Sequence, residues 1–107
     1  MSKIKLQDFI YFGRLFEIYK NMLNEDRQKI MESYFEYNMT LAEIAEEKKI
    51  TRQAVLDSID KSCEKLREFE NKLCLLKKKE NLTNLLDELA EENPLLKEKL
   101  ENIKKEI

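Results

Sequence analysis

The chain has 107 residues, a net charge of −2, 39% charged side chains, one Gly, one Pro and no His. So balanced a charge gives no support to a strongly basic nucleic-acid module, and the missing imidazole removes the side chain whose ordinary pKa lies nearest neutrality. Abundant Lys, Glu and Leu, with no run of period-two alternation, predict an all-α chain without a sheet.

The first predicted helix covers residues 5–22, where Phe9, Phe12, Phe16, Tyr19 and Leu23 recur at three- and four-residue steps. Their spacing is that of one buried face, not of a base-stacking platform. Gly13 costs that helix about 1 kcal/mol relative to Ala, so a close approach of another helix is expected there. The second helix starts at Asn24, an N-cap, with Glu25 and Asp26 beside the positive helix end. Its inner face holds Ile30, Met31, Tyr34 and Phe35, and it ends near Tyr37 and Asn38.

Residues 40–66, TLAEIAEEKKITRQAVLDSIDKSCEKL, read as a helix-turn-helix. Thr40 and Glu43 have the spacing of a capping box, and Met39 can staple onto Ile44. Leu41, Ile44 and the small Ala45 face inward. The turn is Lys48-Lys49-Ile50, with Lys49 where a glycine is usual. Thr51 then caps the fourth helix and Ile50 can pack on Val55.

No stop signal follows until about Glu80. Val55, Ile59, Leu66, Phe69, Leu73 and Leu76 form a seam longer than a small core needs, so a homodimer is expected, with Leu66, Phe69, Leu73 and Leu76 as its seam. Asn81 is expected to end this helix. A shorter helix holds Leu82, Leu85, Leu86 and Leu89, and Asn93-Pro94 opens a last one with Leu96, Leu100, Ile103 and Ile107. The leucines of this tail fold back on the long helix or pair with a second copy. The expected organisation is a helix-turn-helix domain over residues 1–79 and a helical extension over residues 80–107.

Cys63 and Cys74 fall on the same predicted helix. At about 1.5 Å per residue they lie roughly 16 Å apart, beyond the ~7 Å reach of a disulfide, so reduced, buried thiols are expected. Two distant cysteines without His make no zinc site. No Gly-rich phosphate loop, paired-Cys motif or nucleophile elbow is present; neither enzyme nor cofactor is expected. No apolar run approaches a membrane span, and Gln7, Asp8 and Arg14 interrupt the opening stretch, so a cytoplasmic protein is expected.

In a helix-turn-helix, the first residues of the second helix reach base edges. Here they are Thr51, Arg52, Gln53, Leu56 and Asp57. Arg52 suits guanine, Gln53 suits adenine and Thr51 suits a phosphate; Lys48 and Lys49 in the turn are further candidates. Against this, Arg52, Lys61 and Lys65 are balanced by Asp57, Asp60 and Glu64 over residues 51–66. Lys77, Lys78 and Lys79 form the densest basic run, but about 25 residues of helix would hold it roughly 38 Å from Arg52. A neutral recognition helix is compatible with a protein or structured-RNA partner as well as with duplex DNA.

With these residues in place, the chain resembles the YlxM family of small bacterial helix-turn-helix proteins. The resemblance rests on LNEDRQKIMESYFEYNMTLAEIAEEKKITRQAVLDSIDKSCEKLREFENKLCLL and covers roughly residues 8–79. It implies a non-enzymatic regulatory or accessory part in the signal recognition particle pathway, with the particle's GTPase or RNA as partner. The same core is similar to region four of bacterial sigma factors in TLAEIA and TRQAV. That likeness implies a sigma-region-four-like, winged-helix-like fold lacking a sheet. It also keeps open the alternative of a DNA-binding transcription regulator. Sigma factors place further basic or amide residues after the Thr-Arg pair. Leu56 and Asp57 stand there here, so only Thr51, Arg52 and Gln53 carry over as candidate contacts.

Overall fold

A computed structural model describes residues 6–107, with side chains from Asp8 onward. The described residues form six α-helices and no strand, as the composition predicts. Helix α1 spans Leu6–Tyr19 and tightens into a 3-10 turn at Lys20–Met22; α2 spans Glu25–Met31 and widens into a π turn at Glu32–Glu36. Helices α3 (Leu41–Lys48) and α4 (Arg52–Leu73) make the helix-turn-helix. Helix α5 (Leu75–Glu92) leads through a 3-10 turn at Pro94–Leu96 into α6 (Lys97–Lys105). Lys5, the expected start of the first helix, lies outside the described residues. The chain divides into two compact units, Met1–Leu73 and Cys74–Ile107.

The first unit packs α1, α2 and α3 against α4. Phe12, Phe16, Tyr19 and Leu23 bury the expected face of α1, together with Leu15. Met31, Ile44, Val55, Ile59 and Leu66 complete the interior. Burying each such side chain contributes about 1.5–3 kcal/mol. Phe9 lies 5.5 Å from the Tyr34 ring and 4.9 Å from the Phe35 ring. Among the described residues, a Cβ added at Gly13 would meet only Phe35 Cδ1, at 3.6 Å. That is ordinary van der Waals contact, so the packing here does not require glycine. Arg67 lays its guanidinium 5.2 Å from the Phe12 ring centre, covering the outer side of the core with a cation–π contact.

Local chemistry sets the helix ends. Asn24 Oδ1 accepts the Arg27 amide at 2.9 Å, satisfying one of the open donors of the first turn. Ser33 Oγ donates to the Lys29 carbonyl at 3.0 Å, a back-bond that competes with the helix ladder, and the π turn begins beside it. This turn ends at Glu36, and Asn38 beyond it is left-handed at φ 52; the Met39 amide then returns to the Ser33 carbonyl at 3.0 Å. Ser62, fully buried on α4, is the one buried hydroxyl among the described residues that finds no partner.

The expected helix from Thr51 to Glu80 is broken earlier. Helix α4 ends at Leu73 and Cys74 adopts a left-handed conformation, φ 54 and ψ 31. A new ladder begins when the Lys78 amide bonds the Cys74 carbonyl at 2.9 Å. It runs straight through Asn81, which therefore does not end a helix. An asparagine costs a helix interior only a few tenths of a kcal/mol to about 0.7 kcal/mol, and α5 absorbs it. The same break takes Cys74 off the Cys63 helix and removes the premise of the straight 38 Å separation. Both thiols are free; Cys63 is buried and Cys74 half-buried.

In the second unit α6 packs on α5. Leu86 and Leu100 are buried, and Lys104 Nζ meets Asp87 Oδ1 at 2.6 Å. This hydrogen bond raises the Lys104 pKa. Asn93 was expected to cap the last helix. Its side chain instead donates back to the Leu89 carbonyl at 3.2 Å, closing the end of α5.

Candidate binding face of the helix-turn-helix

Three local devices fix the angle at which α4 is presented. The capping box is formed in both directions: Thr40 Oγ1 accepts the Glu43 amide at 3.1 Å, and Glu43 Oε1 accepts the Thr40 amide at 2.9 Å. The Thr40 contacts lower the Glu43 pKa. At the turn, Lys49 is left-handed, φ 58 and ψ 42. The Lys49 amide reaches the Glu46 carbonyl at 3.3 Å and the Ile50 amide reaches Ala45 at 3.1 Å, the bonding pattern of a Schellman motif. Thr51 Oγ1 then accepts the Ala54 amide at 3.0 Å. Ala45 and Val55 are buried where α3 and α4 meet.

This frame brings Lys48, Lys49, Thr51, Arg52 and Gln53 together at one end of α4, but it leaves them unequally available. Arg52 is exposed and has no ion-pair partner among the described residues. Lys49 is exposed at the tip of the turn. Lys48 lies 3.4 Å from Glu47. Gln53 Nε2 donates to Asp57 Oδ1 at 2.9 Å, so its amide is already engaged. Thr51 spends its oxygen on the helix cap. Leu56, expected beside them, is instead buried; it belongs to the core and cannot face a base. The alternation of faces along a helix explains this, since Leu56 sits one residue from Val55 and three from Ile59, both buried.

The seam residues also separate. Leu66 is buried inside the first unit and Phe69 packs its ring 5.8 Å from Tyr19. Leu73 remains 42% exposed, while Leu76 is buried.

One feature was not marked by any sequence signal. A groove of about 380 Å³ lies beside the turn, lined by Asp26, Lys29 and Ile30 of α2 with Lys48 and Ile50. It joins two lysines and two isoleucines from segments about twenty residues apart, which only the packing of α2 on the turn brings together. No group of acidic or sulfur side chains that could hold a metal ion occurs among the described residues.

Comparison with known proteins agrees with this architecture. Residues 6–107 match the UPF0122 family, described as "Putative helix-turn-helix protein, YlxM / p13 like". A UPF0122 protein of Fusobacterium nucleatum is 35% identical over 98 residues, 92% of this chain and 93% of the relative. A UPF0122 protein of Halalkalibacterium halodurans is 42% identical over 77 residues, 72% of this chain and 71% of the relative. The UPF0122 protein YlxM of Bacillus subtilis is 39% identical over 79 residues, 71% of this chain and 72% of the relative. No solved structure matches the chain significantly. With an all-helical fold, a formed helix-turn-helix and a match along nearly its whole length, the chain belongs to the UPF0122 family of YlxM/p13-like helix-turn-helix proteins.

Proposed function

We propose that the chain is a non-enzymatic regulatory or accessory protein of the signal recognition particle pathway. In this reading it is cytoplasmic, works as a homodimer and binds the particle's GTPase or its RNA. Resemblance to YlxM is the source of the pathway. The observation that favours this partner class over duplex DNA is the state of the α4 leading face. Gln53 is tied to Asp57, Lys48 lies by Glu47, and few free cations remain to neutralise phosphates. Each neutralised phosphate adds about 0.9 to the salt slope of duplex binding, so this face supports little of it. No helix among the described residues is long and apolar enough to cross a membrane.

A second reading is a DNA-binding transcription regulator. The exposed, unpaired Arg52 at the start of a 22-residue helix favours it, since that is where such helices present a guanine-reading side chain. A tagged pull-down from native cytoplasm, with and without RNase and DNase, separates the two. Recovery of the particle's GTPase or RNA supports the first, and sensitivity to RNase identifies the component touched. Recovery of specific DNA fragments without the particle, lost on Arg52→Ala, moves the assignment to the second.

A further inference from the structure

Helix α5 carries its charges in the order least suited to a helix standing alone. Lys77, Lys78 and Lys79 occupy its beginning; Asp87, Glu88, Glu91 and Glu92 occupy its end. Its first turn has no acid and its last turn no base, whereas the macrodipole favours anions at the start and cations at the end. Between the two charged ends runs an apolar stripe. Leu82, Leu85 and Leu89 are 41%, 56% and 44% exposed, although α6 already packs on this helix and Leu86 is buried. Lys78, Leu82, Leu85, Leu89 and Glu92 follow one another at steps of four, three, four and three, the spacing of a single seam.

This seam has a centre. Lys78 lies seven residues before Leu85 and Glu92 seven after it, about 10 Å to either side. Both charged residues are exposed, and neither has an ion-pair partner among the described residues. A two-fold axis at Leu85 would set Lys78 of each copy against Glu92 of the other. It would also lay the leucines over one another and oppose the two helix dipoles. A parallel pair would set Lys78 against Lys78 and Glu92 against Glu92. Such self-complementarity is what an isologous interface requires.

We infer that a second copy of this chain covers the leucine stripe of α5, running antiparallel and centred on Leu85, with Lys78 and Glu92 fixing the direction. The inference deepens the homodimer reading above by naming its surface, which lies beyond the Leu66 and Phe69 side chains used inside one unit.

Sedimentation of the full chain tests it. The expected mass is twice 12.9 kDa. Leu85→Glu and Lys78→Glu should each weaken self-association by about tenfold or more, with helix content unchanged by circular dichroism because both sites are exposed. Combining Lys78→Glu with Glu92→Lys should restore the dimer, since the antiparallel pair re-forms with its signs exchanged. A mass of 12.9 kDa at every concentration overturns the inference. So does a dimer untouched by either single change, or one that the charge exchange does not restore. If Leu85→Glu reduces helix content, the exposed charge variants decide the matter alone. A monomer that still retains the GTPase or RNA in a pull-down would overturn the surface while leaving the functional reading intact.

Discussion

The side-chain amide of Gln53 donates a hydrogen bond to the Asp57 carboxylate across 2.9 Å, one turn along the same exposed face. A base-reading glutamine needs that amide free, and a phosphate backbone is repelled by that carboxylate. Asp57→Ala removes both obstacles. Duplex DNA binding, followed by fluorescence anisotropy at low salt, should strengthen by about tenfold, or about 1.4 kcal/mol. The gain should shrink as salt screens the contact, while stability changes by less than about 0.5 kcal/mol at this exposed site. No gain at low salt would mean that Asp57 does not hold the face away from DNA.

Tyr19 is buried, yet its hydroxyl donates to Glu70 Oε1 at 2.6 Å. This bond joins α1 to the last turns of α4 and is strengthened by the charge of its acceptor. Tyr19→Phe keeps the ring and leaves the carboxylate, so it should cost about 1–2 kcal/mol in urea unfolding. A loss well below that would show that water replaces the hydroxyl at Glu70.

Two backbone positions invite stabilising changes of different origin. Lys49 is left-handed, which costs an L residue roughly 1–2 kcal/mol; Lys49→Gly relieves it and should gain about 0.5–1 kcal/mol after the greater entropy of glycine. Gly13 sits inside α1 with 3.6 Å of room for a Cβ. Gly13→Ala should therefore gain up to about 1 kcal/mol. Thermal unfolding reads both, and a fall in midpoint for Gly13→Ala would mean that Phe35 cannot yield.

Burial pushes the Cys63 thiol from 9.0 up to about 12, with the Asp60 charge adding to it and Arg67 opposing. Tyr34 is also raised, first by burial, then by Cys63 and Asp60. A pKa raised in the folded state stabilises below the unfolded value and loses that contribution as pH climbs through the folded one. Stability should therefore fall between pH 9 and about 12. At the acid end Glu43 has the opposite sign: its lowered pKa contributes above 4.5 and fades as pH falls. In native protein a thiol reagent should label the half-buried Cys74 quickly and Cys63 only on unfolding. Equal labelling rates would contradict the burial of Cys63.

Thr40, Glu43, Asn24 and Thr51 reveal their helix starts in sequence because a capping side chain bonds its own neighbours; three residues suffice to specify it. The apolar face of α1 was legible for the same reason of short range. The break at Cys74 was not. The steps from Leu66 through Phe69, Leu73 and Leu76 continue across it, and a cysteine gives no sign of a left-handed backbone as glycine would. The π turn was equally silent, since a Ser33 back-bond looks like any serine in a helix. At the binding face, the residue types of Arg52 and Gln53 were readable. The engagement of Gln53 by Asp57 depends on rotamers, which spacing permits without requiring.

The joint at Cys74 also separates two counting frames. Helix α4 closes its hydrogen-bond ladder at Leu73 and α5 opens its own from Leu75. A residue gained or lost within α5 rotates the side chains that follow it by about 100° but leaves the α4 register, and with it the aim of Arg52, unchanged. One uninterrupted helix would begin every later turn from the same phase. With Cys74 left-handed between them, the faces of α5 are counted from Leu75 and not carried on from those of α4.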